Sequence, residues 1–176
     1  MRNAVKVIAF QLGWLVCVLS GARGKLLPAL LAAAAVLACD LWLARQRLAE
    51  ELRLMAWATL LGFAVETVNL AAGVFSLTAP GPYPWLCPVW LALLWTLFAT
   101  LLRGPLAWLS GRYGLAALLG ALLAAPNYFA GARLGAVIMN ANRLFSIAML
   151  GALWALAMPA LLGLARRGRE TGERDM

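Results

Sequence analysis

Six apolar runs divide the chain, at residues 4–20, 26–44, 54–79, 85–102, 113–132 and 144–164. A run of about 20 apolar residues can cross the hydrocarbon core of a bilayer as a helix. The pattern predicts an all-α fold: a polytopic transmembrane helical bundle of about six spans, forming a single unit over residues 1–165. The third run is the longest and is expected to tilt or break near Gly73. The fourth is expected to continue past Arg103-Gly104-Pro105 as a short interfacial turn through Leu109. Pro126 should kink the fifth near its end, because proline removes a helix hydrogen bond and crowds the preceding turn.

The connectors fit this division. Residues 20–25 contain Gly21, Arg23, Gly24 and Lys25, and residues 45–53 are densely charged. Pro80-Gly81-Pro82-Tyr83-Pro84 is a rigid, uncharged turn. Residues 133–143 are partly apolar and suit a short re-entrant or interfacial piece. Residues 166–176 are polar and read as a disordered cytoplasmic tail.

Composition agrees. The chain of 176 residues is 64% hydrophobic and 12% charged, against about 25% charged in soluble domains. Its net charge of +8 would suggest nucleic acid in a soluble protein. Here the charge sorts by membrane face. Eleven basic residues fall on one side (Arg2, Lys6, Arg45, Arg47, Arg53, Arg103, Arg112, Arg166, Arg167, Arg169, Arg174). Four fall on the other: Arg23, Lys25, Arg133 and Arg143. The imbalance places both termini in the cytoplasm of a multi-pass inner-membrane protein, and no nucleic-acid partner is expected. The first run also resembles a signal peptide, but Val16 is too large to precede a lipoprotein cysteine at Cys17, and the run is expected to be retained.

There is no histidine, which excludes Ser-His-Asp triads, histidine-ligated haem and histidine metal sites. Cys17, Cys39 and Cys87 are widely separated and form no C-x-x-C pair, so no metal site and no cofactor are expected. No phosphate-binding G-x-x-x-x-G-K-[ST] loop is present.

One polar pattern stands out within the apolar runs. Thr59, Gly62, Glu66, Asn69, Gly73 and Ser76 recur at steps of three and four and would share one helical face. Leu61, Val65, Val68, Ala72 and Phe75 would form the opposite face. Within the run as drawn, Glu66 lies twelve residues from Leu54 and thirteen from Ala79, near the bilayer midplane. A charge there costs at least about 2.5–3.5 kcal/mol on insertion scales, and no Lys or Arg shares its depth. A second seam joins Tyr113, Ala117, Gly120, Ala124, Asn127 and Gly131, with Tyr128 beside it and Arg133 beyond. A third joins Asn3, Lys6, Phe10, Gly13, Cys17 and Ser20. The glycines read mainly as packing devices, and Asn69 and Asn127 read equally as interhelical hydrogen-bond partners or ligand contacts. Asp40 is expected to form an interfacial ion pair within reach of Arg45. Arg133 and Arg143 either hold a lipid phosphate or carboxylate or simply meet headgroups. Trp42, Trp57, Trp85 and Trp108 read as interface anchors.

The start Phe10-Gln11-Leu12-Gly13-Trp14-Leu15-Val16-Cys17-Val18 resembles that of a family of small bacterial inner-membrane proteins, domain of unknown function 2878. Similar features are Gly62-x-x-x-Glu66 with Asn69, Pro84-Trp85 leading to Leu94-Trp95, Phe98-Ala99, and Pro126-x-Tyr128 with Gly131 and Gly135. The resemblance spans nearly the whole chain. It implies a six-span bundle without assigned activity. Through gene neighbourhoods for fatty-acid cyclopropanation and flavin enzymes, it also implies a setting in lipid metabolism. It carries over no catalytic residue.

Three classes of function remain open. In the favoured one, an amphipathic membrane lipid enters laterally between helices. Glu66 then acts as acid/base or hydrogen-bond partner, aided by Asn69 and Asn127, while Tyr128 and Arg133 position the head. The others are a substrate-binding component of a transporter resembling vitamin importers, and an accessory or assembly subunit docked on a membrane-protein partner. No internal repeat is evident, which argues against an inverted-repeat carrier.

Overall fold

A computed structural model describes residues 2–172, and over this range the chain is a bundle of six helices with one small antiparallel ribbon. The helices are α1 (Arg2–Ala22), α2 (Leu26–Leu43), α3 (Leu48–Ala71), α4 (Val89–Leu102), α5 (Tyr113–Arg133) and α6 (Arg143–Gly172). Strands β1 (Phe75–Leu77) and β2 (Val137–Met139) pair antiparallel, with Ser76 opposite Ile138. Single 3-10 turns at Arg45–Arg47 and Ala107–Leu109 precede α3 and α5.

Five of the helices are long and apolar enough to cross a membrane. The exception is α4, whose 14 residues span about 21 Å. Its start lies at Val89 rather than Trp85 because Pro84 and Pro88 hold the preceding segment out of the helix; Pro88 itself is extended, with φ −74° and ψ 156°. The expected turn after α4 is present at Ala107–Leu109. Pro126 lies inside α5. The charged segment 45–53 is not a loop beyond Arg47: Glu50 and Glu51 occupy the first turn of α3, where carboxylates meet the unpaired N–H groups of the helix end. Past residue 164, α6 continues as helix to Gly172; of the expected tail, residues 173–176 lie outside the described residues.

The third apolar run divides. Its helix ends at Ala71, and Gly73 takes φ +68°. Val74 N–H donates to Asn69 O at 2.9 Å and Gly73 N–H to Leu70 O at 3.0 Å, the paired bonds of a glycine-terminated helix end. The end of α5 repeats this closure. Gly135 has φ +81°, Ala136 N–H donates to Gly131 O at 3.0 Å, and Gly135 N–H donates to Ala132 O at 3.0 Å. Each glycine releases the chain into a strand, and the two strands pair. Gly73 and Gly135, like Ser76 and Ile138, are 62 positions apart in the sequence. The expected interfacial piece at 133–143 is therefore the second half of this ribbon. Asn140 Nδ2 and Ser146 Oγ seal it by donating to Gly73 O and Val74 O, both at 2.8 Å.

The opposite end carries the ion pairs. Lys6 Nζ lies 2.6 Å from Asp40 Oδ1 and donates to Thr100 O at 3.3 Å, linking α1, α2 and α4. Asp40 thus forms the expected ion pair, but with Lys6 rather than Arg45, because α1 packs along α2. Arg103 contacts Glu50 Oε2 and Glu51 Oε1, both at 3.2 Å, and donates Nε–H to Ala165 O at 3.2 Å. This cluster ties α3, α4 and α6 together. Between the two ends, buried apolar side chains fill the bundle, with Phe75 and Trp90 toward the ribbon and Leu102 and Leu161 toward the ion pairs.

Candidate functional site

The inward face of α3 carries the polar seam as far as Asn69. Gly62, Glu66 and Asn69 are buried, while Trp57, Leu60, Phe63 and Val68 face outward. Gly73 and Ser76 leave the seam, because the helix has already ended, and both are exposed. For the same reason Glu66 is not central. It lies five residues before the end of α3, about 7.5 Å along the axis.

Glu66 is 1% exposed and is met from three helices. Trp95 of α4 donates Nε1–H to Oε1 at 2.9 Å. Tyr128 of α5 donates its hydroxyl to the same oxygen. Asn69, one turn along α3, brings Nδ2 to 3.5 Å from Oε2. Trp154 of α6 lies with Nε1 at 3.5 Å from the Tyr128 hydroxyl and stacks on Trp95, the ring centroids 4.6 Å apart. Three neutral donors therefore converge on a carboxyl group that has no ion-pair partner among the described residues. Buried indole and phenol groups need a polar partner for their tips, and this acid serves both.

Gly62 makes the arrangement possible. A Cβ there would fall inside the indole of Trp95, so the ring can approach α3 only over a glycine. Gly120 has a similar role between α5 and α6, where a Cβ would meet the Trp154 carbonyl oxygen at 2.5 Å. At Gly131 a Cβ would meet nothing within 4 Å, so the packing role expected for it is not met.

That open space belongs to a cleft of about 410 Å³, within the range of about 300–1,000 Å³ usual for small-molecule sites. Phe10 and Trp14 of α1 form one wall, Leu119 and Leu123 of α5 the other, and Leu94 and Phe98 of α4 lie between. α4 packs on α1 and α3, and α6 packs on α3 and α5, whereas α1 and α5 flank the cleft without forming a packed pair. Besides the indole N–H groups of its tryptophans, the polar groups lining it are Glu66, Tyr128 and Asn127. A larger hollow of about 970 Å³ over Trp57, Tyr113, Arg166 and Arg167 contains none of the candidate residues.

Of the residues selected by sequence, Glu66, Asn69 and Tyr128 are thus brought into one cluster. Asn127 lines the cleft beside it without a hydrogen bond to Glu66. Arg133 is exposed in the last turn of α5 and does not line the cleft. Trp95 and Trp154 were missed as site residues. The available signal was a tryptophan well inside an apolar run, where its N–H requires a buried acceptor. No three His, Cys, Asp or Glu side chains converge among the described residues, and Cys17, Cys39 and Cys87 are free thiols.

The fold and the cleft define the class: a multi-pass membrane-type helical bundle with a carboxyl group facing an internal apolar cleft. The chain belongs to the family described as protein of unknown function DUF2878, which matches residues 3–160. No curated protein and no solved structure matches it.

Proposed function

We propose that the protein resides in the cytoplasmic membrane, with both termini on the cytoplasmic side, and binds or modifies an amphipathic, lipid-like molecule in the cleft beside Glu66. The supporting observation is the cleft itself: a ligand-sized space with aromatic and aliphatic walls and a single carboxyl group, flanked by two helices that do not close on each other. Lateral entry between α1 and α5 would spare the ligand's tail from crossing water. Glu66 would accept a hydrogen bond or proton from the ligand, and Asn127 would contact its polar end. Tyr128, Trp95 and Asn69 would hold the carboxyl group in place.

The test is mass spectrometry of molecules that stay bound through purification, compared between the native chain, Glu66→Gln and Gly131→Leu. A Cβ at 131 would meet nothing within 4 Å, so a side chain added there projects into the open space of the cleft. The expected result is a retained amphiphile in the native chain, lost or much reduced in Gly131→Leu and altered in amount by Glu66→Gln. If the folded native chain carries no amphiphile, and the lipid composition of the membrane is unchanged in both variants, the proposed role fails. A water-soluble ligand or a captured ATPase would instead indicate a transport component.

A further inference from the structure

The cleft carries a polarity that its occupant must match. Glu66 is its one ionisable carboxyl group, and no Lys or Arg lines it among the described residues. Arg133 and Arg143, at the same end of the bundle, are both exposed and outside the lining. An anionic head entering here would face a carboxyl group with no cation to offset its desolvation. The hydrogen-bond inventory points the same way. Trp95, Tyr128 and Asn69 direct their donors to Glu66, so what this cluster presents to the cleft is the remaining lone pairs of the carboxyl group. The cluster has acceptor capacity to spare and its donors are already engaged.

Position sets the direction. Glu66 is five residues from the end of α3 and Asn127 six from the end of α5, so the polar groups lie about 7.5 and 9 Å below the ribbon end of their helices. From Asn127 the wall of α5 descends to Leu119, about 12 Å further. It then meets Leu106, Trp108 and Leu109 beyond α4, with no charged, amide or hydroxyl side chain in that stretch of the lining.

We infer that the cleft takes a single-chain amphiphile whose head is uncharged or cationic and bears a hydrogen-bond donor. The head sits toward the β1–β2 ribbon beside Glu66 and Asn127, with the tail directed toward Trp108. The inference rests on the proposed lipid-binding role and narrows it to alcohol-like, amide-like or amine heads, against phosphate or carboxylate heads.

The experiment uses the full chain in detergent micelles and three long-chain probes with the same dibrominated tail. Their heads are a primary alcohol, a primary amine and a carboxylic acid, in buffer basic enough to ionise the acid. Bromine quenches tryptophan fluorescence on contact, and Trp14, Trp90, Trp95, Trp108 and Trp154 all line the cleft. The alcohol and amine are expected to quench saturably, with the carboxylate binding at least ~10-fold more weakly. Gly131→Leu removes the saturable phase, and Glu66→Gln narrows the preference for amine over carboxylate. Trp108→Phe reduces quenching by a probe brominated at the tail end more than by one brominated beside the head. Should the carboxylate bind as tightly as the alcohol and amine, the head class is overturned while the lipid-binding role stands. If no probe quenches saturably, or Gly131→Leu changes nothing, both are overturned. The native-chain series decides the head class even if Glu66→Gln fails to fold.

Discussion

Trp95 occupies the space over Gly62 and gives its indole N–H to Glu66, the residue one turn further along α3. The missing side chain and the carboxyl group are therefore two parts of one device. The first admits the ring to the helix surface, and the second satisfies the polar tip that the ring buries. Trp154, stacked on the far side, holds the indole against α3.

Adding one methyl group at Gly62 should break this device. Gly62→Ala places Cβ inside the indole, and overpacking of this kind costs about 1–3 kcal/mol. The expected outcome is a lower unfolding temperature in detergent together with a shift in tryptophan emission. Gly114→Ala is the control: it meets nothing within 4 Å, and alanine in a helix should be neutral or stabilising by about 0.5–1 kcal/mol. Equal behaviour of the two variants would refute the close approach of Trp95.

Tyr128→Phe and Trp95→Phe each delete one donor from a buried carboxyl group. Leaving such a group short of a partner costs about 1–3 kcal/mol. The two donors share Glu66 Oε1, so their effects should not add: residues in one network couple by about 0.5–3 kcal/mol. Circular dichroism melts of both single variants and the double variant measure this. Strict additivity would mean that the two donors do not share an acceptor.

The Lys6–Asp40 pair offers a test of helix packing near the N terminus. Asp40 is 4% and Lys6 15% exposed. Removing one partner from a buried pair costs about 3–5 kcal/mol, so Lys6→Met and Asp40→Leu should each lower the folded yield sharply. The double variant should recover most of the loss, since no buried charge is then left unpaired. Failure of the double variant to recover would show that Asp40 is held by something other than Lys6.

The ribbon register can be trapped chemically. Ser76 and Ile138 are directly opposed, and opposed antiparallel residues lie about 4.5–5.5 Å apart at Cα, within disulfide reach. With Cys39, the exposed native thiol, replaced by Ser, Ser76→Cys/Ile138→Cys should form an intramolecular disulfide on mild oxidation. The readout is peptide mass after proteolysis. Absence of the cross-link in folded protein would overturn the pairing.

Much of the bundle was legible in the sequence because its signals are local. Apolar runs and their period mark helices and inward faces: Glu66 and Asn69 lie on the polar face that the period defines in the third run, and Tyr128 lies beside the seam of the fifth. Errors arose where a local signal was indifferent to the difference that mattered. Residues 72–79 are as apolar as a helix, so the apolar pattern runs on to residue 79 and puts Glu66 near its centre. The left-handed backbone at Gly73 ends the helix at Ala71, and apolarity alone does not register it. Likewise, tryptophans anchor interfaces often enough that the network role of Trp95 passed unseen.

By itself, then, the sequence determined a membrane-type bundle of about six helices, the polar face of α3 and the isolation of Glu66 from any cation. Tertiary structure alone decided which donors meet that carboxyl group, which cation meets Asp40, and that α1 and α5 leave a cleft between them. The pairing of two distant strands belongs here as well. Glu66 and Tyr128 are 62 residues apart, the same spacing that relates Gly73 to Gly135 and Ser76 to Ile138. Two helix–glycine–strand units thus meet through equivalent positions, a correspondence that shared residue types do not reveal. The physical reason is one of range. Burial and helix periodicity act over neighbouring turns, whereas donor–acceptor partnership and open space depend on which faces of distant helices come together.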